Sequence, residues 1–219
     1  MIFINFKTYK KGSGKDAIEL VRILEEVSEE TQIKIIPVVQ ATDIKEVAQS
    51  SKLEIWVQSI DPEIYGAHTG AVLPEAVLED GASGTFLNHS EIKFINFDKL
   101  SFAAKRAKEI DLKTLIFASD LTELKKILAL KPTYVAYEPL DLIGSKTTSV
   151  ARAKPEVVAK AVEISRKVRT PLVVGAGVSS REDVKRSIEL GAVGVAVASD
   201  VVEAKDPKKE LLDLTEGFK

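Results

Sequence analysis

One four-residue segment combines residue types and a position that suit acid–base chemistry. Asn88-His89-Ser90-Glu91 follows the apolar run Gly84–Leu87 and precedes a segment, residues 94–110, with helical spacing. We therefore expect His89 where a buried strand passes into the start of a helix. There, backbone N–H groups and the positive helix end favour a neutral imidazole ring. A neutral ring at this place can donate a hydrogen bond to a substrate oxygen.

A glutamate, Glu138, ends the apolar segment Tyr134–Tyr137 and is followed directly by Pro139. A carboxylate that emerges from an apolar strand tends to have a raised pKa, which suits a general base near neutral pH. A carboxylate paired with a nearby cation is the structural alternative. Residues 140–154 are rich in Gly, Ser, Thr and Lys, with few core candidates, and predict a mobile loop. A base beside a loop that closes and excludes water favours the enzymatic interpretation.

Asn5 and Lys7 are two residues apart in the first apolar segment, so a strand would point both side chains to the same face. An isolated buried ammonium group is very costly, and a phosphorylated substrate would be a suitable partner for it. A lysine whose charged end reaches solvent just beyond the strand is the alternative.

Two turns of small residues near the C-terminus are typical of phosphate binding. Val173–Ser179 contains Gly175-Ala176-Gly177, and Val195–Asp200 contains Ala198-Ser199. Small residues let backbone N–H groups approach an anion, as they do after strands seven and eight of an eight-stranded barrel. Tight packing of strand on helix explains a single turn equally well, but two in succession favour a phosphate site.

Short apolar segments alternate with longer amphipathic ones along the whole chain, which predicts parallel strands alternating with helices in one α/β domain. The predicted strands are Ile2–Phe6, Ile33–Val38, Glu54–Val57, Gly84–Leu87, Thr114–Phe117, Tyr134–Tyr137, Pro171–Val174 and Val193–Val197. The predicted helices are Lys15–Glu29, Thr42–Ala48, Leu73–Leu78, Asp98–Glu109, Asp120–Leu130, Pro155–Val168 and Arg181–Leu190, with Asp120 and Ser180 as caps.

An open doubly wound sheet and a closed eight-stranded barrel both fit this alternation. No G-x-G-x-x-G motif follows the first strand, and the polar candidates fall at the carboxyl ends of different strands, as in a barrel. We therefore predict a single (β/α)8 TIM barrel over residues 1–219. It would be a short form, because roughly 250 residues are usual. The outer helices are expected to be abbreviated after Ser59 and after Asp200.

The composition excludes several functional classes. With 31 basic and 33 acidic residues the formal net charge is −2, which gives no reason to expect nucleic acid or an anionic membrane as partner. The absence of cysteine excludes disulfides, thiolate metal sites and a cysteine nucleophile. Neither a signal peptide nor an apolar stretch of roughly 20 residues is visible, so we expect a soluble cytoplasmic protein. His68 and His89 lack the spacing of a metal site, and no metal is expected.

Together these segments resemble the triosephosphate isomerase family over essentially the whole chain. Each motif alone is moderately specific, whereas their joint occurrence in this order is strongly specific. The short length, the asparagine before His89 and the Gly-Ala-Gly turn are similar to the compact archaeal-type branch, whose members tend to be tetramers. The matching motifs are Asn5-Phe6-Lys7, Asn88-His89-Ser90-Glu91, Tyr137-Glu138-Pro139 with Ile143-Gly144, Gly175-Ala176-Gly177 and Ala198-Ser199.

The resemblance implies an isomerase of glycolysis and gluconeogenesis that interconverts dihydroxyacetone phosphate and glyceraldehyde 3-phosphate, with no metal or organic cofactor. It implies that Glu138 removes a proton beside the substrate carbonyl. Neutral His89 would polarise that carbonyl and shuttle protons, a pairing that is known chemistry of the family. Lys7 would supply positive charge and Asn5 a further hydrogen bond.

The resemblance also implies the groups that hold the phosphate and the state of assembly. Glu91 would be a buried supporting residue near Lys7. The loop with His68, Thr69 and Gly70 looks like the one that reaches a neighbouring subunit, so a homo-oligomer is implied, with a tetramer favoured and a dimer possible. The phosphate would be held by the backbone of Gly144, Ser145, Gly177 and Ser199, with Ala198 in the same turn as Ser199.

Several positions depart from the family pattern. Ile92 stands where arginine is usual, Phe117 at a position that is often cysteine, and Asp200 where archaeal-type relatives commonly have glycine. Ser145-Lys146 replaces the usual Thr-Gly of the loop after the glutamate. A non-catalytic phosphate-ligand-binding barrel and another phosphosugar isomerase, such as a phosphoribosyl isomerase, are the alternatives. The pairing of Lys7 with Glu138, instead of two aspartates on opposite strands, disfavours the second.

Overall fold

The computed structural model describes residues 1–139 and 149–219. Eight parallel strands close into a barrel in chain order, and the last strand pairs with the first, where Ile2 lies opposite both Ile35 and Val195. The closed barrel predicted from the sequence is confirmed, and the open sheet is excluded. The strands are Ile2–Asn5 (β1), Ile35–Val39 (β2), Trp56–Val57 (β3), Gly84–Leu87 (β4), Lys113–Ala118 (β5), Tyr134–Tyr137 (β6), Leu172–Val174 (β7) and Gly194–Val197 (β8).

The helices surround the barrel, and the seven that were predicted lie within a few residues of their predicted bounds, whereas the sixth, ninth and tenth were not predicted. Two 3-10 turns, Lys10–Gly12 and Ala41–Asp43, precede the first two helices. The helices are Gly14–Thr31 (α1), Ile44–Ser50 (α2), Pro74–Glu79 (α3), Phe97–Glu109 (α4), Leu121–Leu128 (α5), Val150–Ala153 (α6), Pro155–Lys167 (α7), Arg181–Glu189 (α8), Ser199–Val202 (α9) and Pro207–Glu216 (α10). Within the described residues, none of them has the length and apolar character needed to cross a membrane.

The prediction of abbreviated outer helices holds at one of the two places. Residues 58–73 contain no helix, and the six-residue α3 follows them. After Asp200 the prediction was wrong, because α9 is followed by the ten-residue α10. Asp206 caps that helix by accepting a hydrogen bond from the N–H of Lys209. Leu211 and Leu214 of α10 are buried, and α10 contacts α1 and α8. These contacts hold the helix in place.

Aromatic side chains fill the interior of the barrel. Phe3 and Trp56 lie with their ring centroids 5.1 Å apart, and Phe86 and Phe117 with theirs 4.9 Å apart, in both cases edge to face. A β-carbon on Gly84 would lie 2.3 Å from the Trp56 ring, so the indole requires glycine on the strand beside it. Because side chains fill the interior of the barrel, a pocket lined by polar groups can form only at an end of the barrel and not inside it.

Charged residues close the end of the barrel where the strands begin. Glu54 accepts hydrogen bonds from Lys34 (2.7 Å), Lys113 (2.8 Å) and the indole N–H of Trp56 (2.9 Å). Burial alone would raise the pKa of Glu54, but these hydrogen bonds outweigh it and lower the pKa to about 2. The charged groups of this cluster are hydrogen-bonded to one another, and the cluster stabilises the end of the barrel opposite the candidate site.

Candidate active site

A pocket opens at the end of the barrel where the strands finish, as the distribution of polar residues predicted. It brings together residues from both ends and the middle of the sequence, including Lys7, His89 and Glu138. Gly144 and Ser145 lie outside the described residues, as does most of the loop predicted at 140–154. The pocket is lined by Asn5, Lys7, Phe86, His89, Phe117, Glu138, Ala176, Gly177, Val178, Ala196, Val197, Ala198, Ser199 and Asp200.

Glu138 is held by the hydrogen-bond ladder of the barrel. Its N–H donates to the carbonyl of Ala118 at 2.8 Å, and the N–H of Gly175 donates to Tyr137 at 3.1 Å, so the neighbouring strands fix the backbone on both sides. The carboxyl group is buried, and its Oε2 atom has no hydrogen-bond partner among the described residues. Burial raises the pKa of Glu138 to about 7, against the opposing effects of Ser90 and Lys7. This is the pKa expected of a general base at neutral pH.

His89 presents one ring nitrogen to Glu138. The N–H of Glu91 lies 3.2 Å from His89 Nδ1, which therefore accepts and leaves the ring proton on Nε2. Nε2 lies 3.8 Å from Oε2 of Glu138. Burial lowers the pKa of His89 to about 4, with a raising effect from Glu91 and a lowering effect from Lys7. The ring is neutral at physiological pH, with an N–H that points into the pocket.

The reason for this neutrality differs from the one given by the sequence. The helix was expected to begin next to His89, but α4 begins at Phe97 and is capped by Asn96. Residues 90 and 91 form a turn in which the N–H of Ile92 donates to the carbonyl of His89 at 2.9 Å. A helix terminus acts only over its first turn, so removal of the ring from water is the cause.

A hydrogen-bonded cluster behind His89 fixes the backbone that carries it. Asn88 has a positive φ of 59°, and its side-chain amide donates to the carbonyl of Phe117 (2.9 Å) and to Glu123 (2.8 Å). The Phe117 ring lies edge-on to the imidazole, with centroids 4.8 Å apart. Glu123 also accepts from Ser119 and Lys93, and these contacts outweigh burial and lower its pKa to about 2. Sequence reasoning missed Glu123, because its only local role is that of a residue in the first turn of α5.

Lys7 was expected to lie on the first strand together with Asn5, but it lies just beyond the end of β1. Its φ of 46° turns the chain out of the strand, and its N–H donates to Oδ1 of Asn5 at 3.0 Å. Both side chains nevertheless line the pocket. The Lys7 ammonium lies 2.6 Å from Glu91, whose side chain is 55% exposed. The prediction that Glu91 is buried was therefore wrong, because the turn after His89 points it toward solvent, but its position beside Lys7 is as expected.

The two small-residue turns lie side by side on another wall of the pocket. Ala176 and Gly177 have φ values of 72° and 70°. Within the described residues, no acceptor is found for the backbone N–H of Gly177 or of Ser199. Unpaired N–H groups on a concave wall are suited to an anion. Asp200 lines the same wall next to Ser199.

Residues 149–154, the described end of the loop predicted at 140–154, include a short helix. Val150 and Ala151 are fully buried in the short helix α6, so the expectation of few core residues through Lys154 was wrong for these two. The N–H of Val150 donates to the carbonyl of Ala176 at 3.3 Å. The buried side chains of Val150 and Ala151 and this hydrogen bond hold α6 against the pocket wall that contains Ala176 and Gly177.

His68 lies apart from the pocket. Its Nδ1 is 3.2 Å from Glu63 in the loop before α3. In residues 1–139 and 149–219 no three histidine, aspartate or glutamate side chains gather in a way that would hold a metal ion.

Comparison with known proteins agrees with this geometry. The sequence profile described as "Triosephosphate isomerase" matches residues 1–217. The chain is similar to the triosephosphate isomerase of Metallosphaera sedula, with 41% identity over 99% of this chain and 95% of the relative. It is similar to that of Methanothermus fervidus, with 42% identity over 98% and 96%, and to that of Saccharolobus solfataricus, with 39% over 97% and 93%. The chain therefore belongs to the triosephosphate isomerase family.

Proposed function

We propose that the pocket interconverts dihydroxyacetone phosphate and glyceraldehyde 3-phosphate, with Glu138 as the base and His89 as the neutral acid. The observation that supports this most directly is the 3.8 Å approach of Glu138 Oε2 to His89 Nε2. Oε2 of Glu138 carries no hydrogen bond among the described residues, and Nε2 of His89 carries the ring proton. A proton acceptor and a neutral donor therefore face the same space.

The roles follow from the protonation states. Glu138 takes a proton from carbon 1 of dihydroxyacetone phosphate, and negative charge develops on the carbonyl oxygen at carbon 2. His89 gives its Nε2 proton to that oxygen and takes the hydroxyl proton from the oxygen on carbon 1, so the ring becomes neutral again and the negative charge moves to the oxygen on carbon 1. Glu138 then gives its proton to carbon 2, which leaves the aldehyde at carbon 1. A pKa near 7 lets one carboxyl group both take and return the proton.

Lys7, Asn5 and the small-residue turns bind the rest of the substrate in this proposal. The ammonium of Lys7 lies at the pocket and supplies positive charge where the substrate carries phosphate and develops enediolate charge. The backbone of Gly177, Ala198 and Ser199 contributes N–H groups for the phosphate. Gly144 and Ser145, outside the described residues, are proposed to complete this set. Phosphate binding energy then serves to position carbon 1 against Glu138.

The test is a coupled assay of purified protein with glyceraldehyde 3-phosphate, read through reduction of dihydroxyacetone phosphate by a dehydrogenase and NADH. Reaction in D₂O adds a second readout, because a proton that passes through the Glu138 carboxyl exchanges with solvent. We expect deuterium at carbon 1 of the dihydroxyacetone phosphate formed. A protein that binds inorganic phosphate but shows no turnover would instead be a non-catalytic phosphate-binding barrel.

We also propose that the chain forms a homo-oligomer, a tetramer in preference to a dimer, in the cytoplasm where its ionised substrates are held. The support is a set of exposed apolar side chains on the loop before α3 and the segment through α4. In these two neighbouring segments the exposed large apolar residues are Ile64, Tyr65, Ile92, Ile95, Phe97 and Phe102. Light scattering of wild type should give the mass of four chains.

A matched pair of variants tests which surface is involved. Ile95→Asp places a charge on a side chain that is 90% exposed in a single chain, and we expect it to lower the mass. Val168→Asp places the same charge on an apolar residue 53% exposed after α7, and we expect no change. A wild-type mass of one chain at micromolar concentration would contradict the proposal.

A further inference from the structure

Gln58 follows β3 directly, and its side-chain amide reaches the backbone of Lys7. Nε2 of Gln58 lies 2.8 Å from the carbonyl oxygen of Lys7. We propose that Gln58 is a positioning residue for the site, which fixes the backbone of Lys7 so that the ammonium is aimed into the pocket. This inference rests on the function proposed above, in which Lys7 contacts the substrate.

The backbone of Lys7 needs such a restraint because it has left the sheet. The β1–β2 ladder continues as far as the N–H of Phe6, which donates to Val38 at 2.9 Å. At Lys7 the φ of 46° turns the next peptide away, into a conformation that side-chain-bearing residues adopt at a cost. The carbonyl of Lys7 therefore has no strand partner, and the amide of Gln58 supplies its hydrogen bond.

Gln58 is itself held firmly enough to transmit this restraint. Its backbone N–H donates to the carbonyl of Val39 at 3.0 Å, which extends the β2–β3 ladder by one residue. Its side chain is partly buried and lines the cleft that continues from the pocket past Lys7 and Glu91. The amide thus links the rigid end of β3 to the turn after β1.

The other contacts of Lys7 do not replace this one. The hydrogen bond from its N–H to Asn5 joins residues two apart in the same turn, so it does not fix that turn against the barrel. The ion pair with Glu91 is made to a carboxylate that is 55% exposed, and pairs in contact with water contribute little. Of these contacts, only the one from Gln58 ties the Lys7 backbone to another strand.

The test is Gln58→Met, which keeps the length of the side chain and removes its N–H donor. Loss of one hydrogen bond that holds a charged group corresponds to about a ten-fold effect, and we expect kcat/KM to fall by about that much, with KM raised. Gln40→Met is the matched control, because Gln40 follows β2 at the same end of the barrel and bonds to Ser13 and Asp43. We expect its KM to equal that of wild type.

A double-mutant cycle separates positioning from general stability. Binding of phosphoglycolate, which carries a phosphate and a carboxylate, is measured by calorimetry for wild type, Gln58→Met, Lys7→Ala and the double variant. If Gln58 acts through the Lys7 side chain, Gln58→Met weakens binding about ten-fold in wild type and less than three-fold in Lys7→Ala. An equal loss in both backgrounds, or a normal KM for Gln58→Met, would overturn the inference. Inactive wild type would instead count against the proposed function.

Discussion

Nε2 of His89 and Oε2 of Glu138 face each other across 3.8 Å without forming an ion pair. Burial lowers the pKa of the imidazole to about 4 and raises the pKa of the carboxyl group to about 7. Between these two values both groups are neutral, and above pH 7 a carboxylate faces an uncharged ring. The same removal from water thus prepares one group to accept a proton and the other to donate a hydrogen bond.

Glu138→Asp tests the placement of the base. The variant keeps the carboxyl group but withdraws it by one methylene, and misplacement of about 1 Å costs roughly 100-fold in rate. We expect kcat to fall by that order while the melting temperature changes little. The assay is steady-state kinetics with thermal unfolding of the same samples.

The control for this prediction is Glu156→Asp, on the exposed first turn of α7. It should retain the kcat and melting temperature of wild type. A parallel loss of activity and stability in Glu138→Asp would show that Glu138 supports the fold and not the reaction.

Glu138→Gln is predicted to make the protein more stable at alkaline pH. The pKa of Glu138 is raised from 4.5 to about 7 in the folded chain, so the folded state binds this proton more tightly than the unfolded state does. Its contribution to stability is therefore lost as pH rises from about 4.5 through 7. The glutamine amide stays uncharged at every pH, so it does not carry the cost of burying an ionised carboxylate. We therefore expect Glu138→Gln to raise the free energy of unfolding by about 1–3 kcal/mol at pH 8.

At pH 4.5 the same substitution should change the free energy of unfolding little. Urea unfolding at both pH values measures the difference, and Glu156→Gln should give the wild-type pH dependence. If Glu138→Gln lowers stability at pH 8, the carboxylate is paired in the folded state and the raised pKa is refuted.

Gly175→Ala is predicted to displace the base. A β-carbon on Gly175 would lie 3.2 Å from Oε1 of Glu138 and 3.4 Å from its Cβ. Because that contact is tighter than normal, the carboxyl group must move, and we expect kcat to fall by about ten-fold or more. In the Glu138→Asp background the shorter side chain has already withdrawn the oxygen, so the added cost should be smaller. Additive losses in steady-state kinetics would mean that Gly175 acts elsewhere.

Asp200→Asn is predicted to tighten phosphate binding. Asp200 is one of the residues that line the wall with Gly177 and Ser199, and a negative charge at this wall opposes that of a bound phosphate. Removal of one negative charge from this wall should lower KM and the inhibition constant of inorganic phosphate by about three- to ten-fold at low ionic strength. The gain should shrink at high salt.

Asp111→Asn is the control for the charge itself. Asp111 is exposed before β5, at the end of the barrel where the strands begin, and its φ of 58° is one that asparagine tolerates. It should leave KM unchanged. An equal fall in both variants would indicate a long-range effect of net charge, and no fall in Asp200→Asn would place its side chain away from the phosphate.

The sequence predicted what depends on local pattern. Strand and helix alternation follows from hydrophobic periodicity, so the eight strands and the closed barrel were predicted to within a few residues. Glu138 was identifiable because a carboxylate directly after a buried strand is unusual. The caps Asp120 and Ser180 also form as predicted, since each bonds within its own first turn.

Features that depend on contacts between distant segments could not be predicted. Gln58 contacts Lys7 across 51 positions, and Asn88 contacts Glu123 across 35, so neither has a local signal. The exposure of Glu91 depends on the turn after His89, which has no strong turn residue. For Gly175, a phosphate role was expected from composition, but its contact with Glu138 depends on the register of β6 and β7.

Trp56 has a practical consequence for all of these measurements. It is the single tryptophan of the chain, lies fully buried among Phe3, Phe86 and Tyr134, and donates its indole N–H to Glu54. Its fluorescence therefore arises from one place, the interior of the barrel, and reports whether that interior is closed. A variant that is inactive but keeps the wild-type emission spectrum has a damaged site, whereas one whose emission shifts to longer wavelength has opened its barrel. The emission of Trp56 therefore serves as an internal control for folding in each of these experiments.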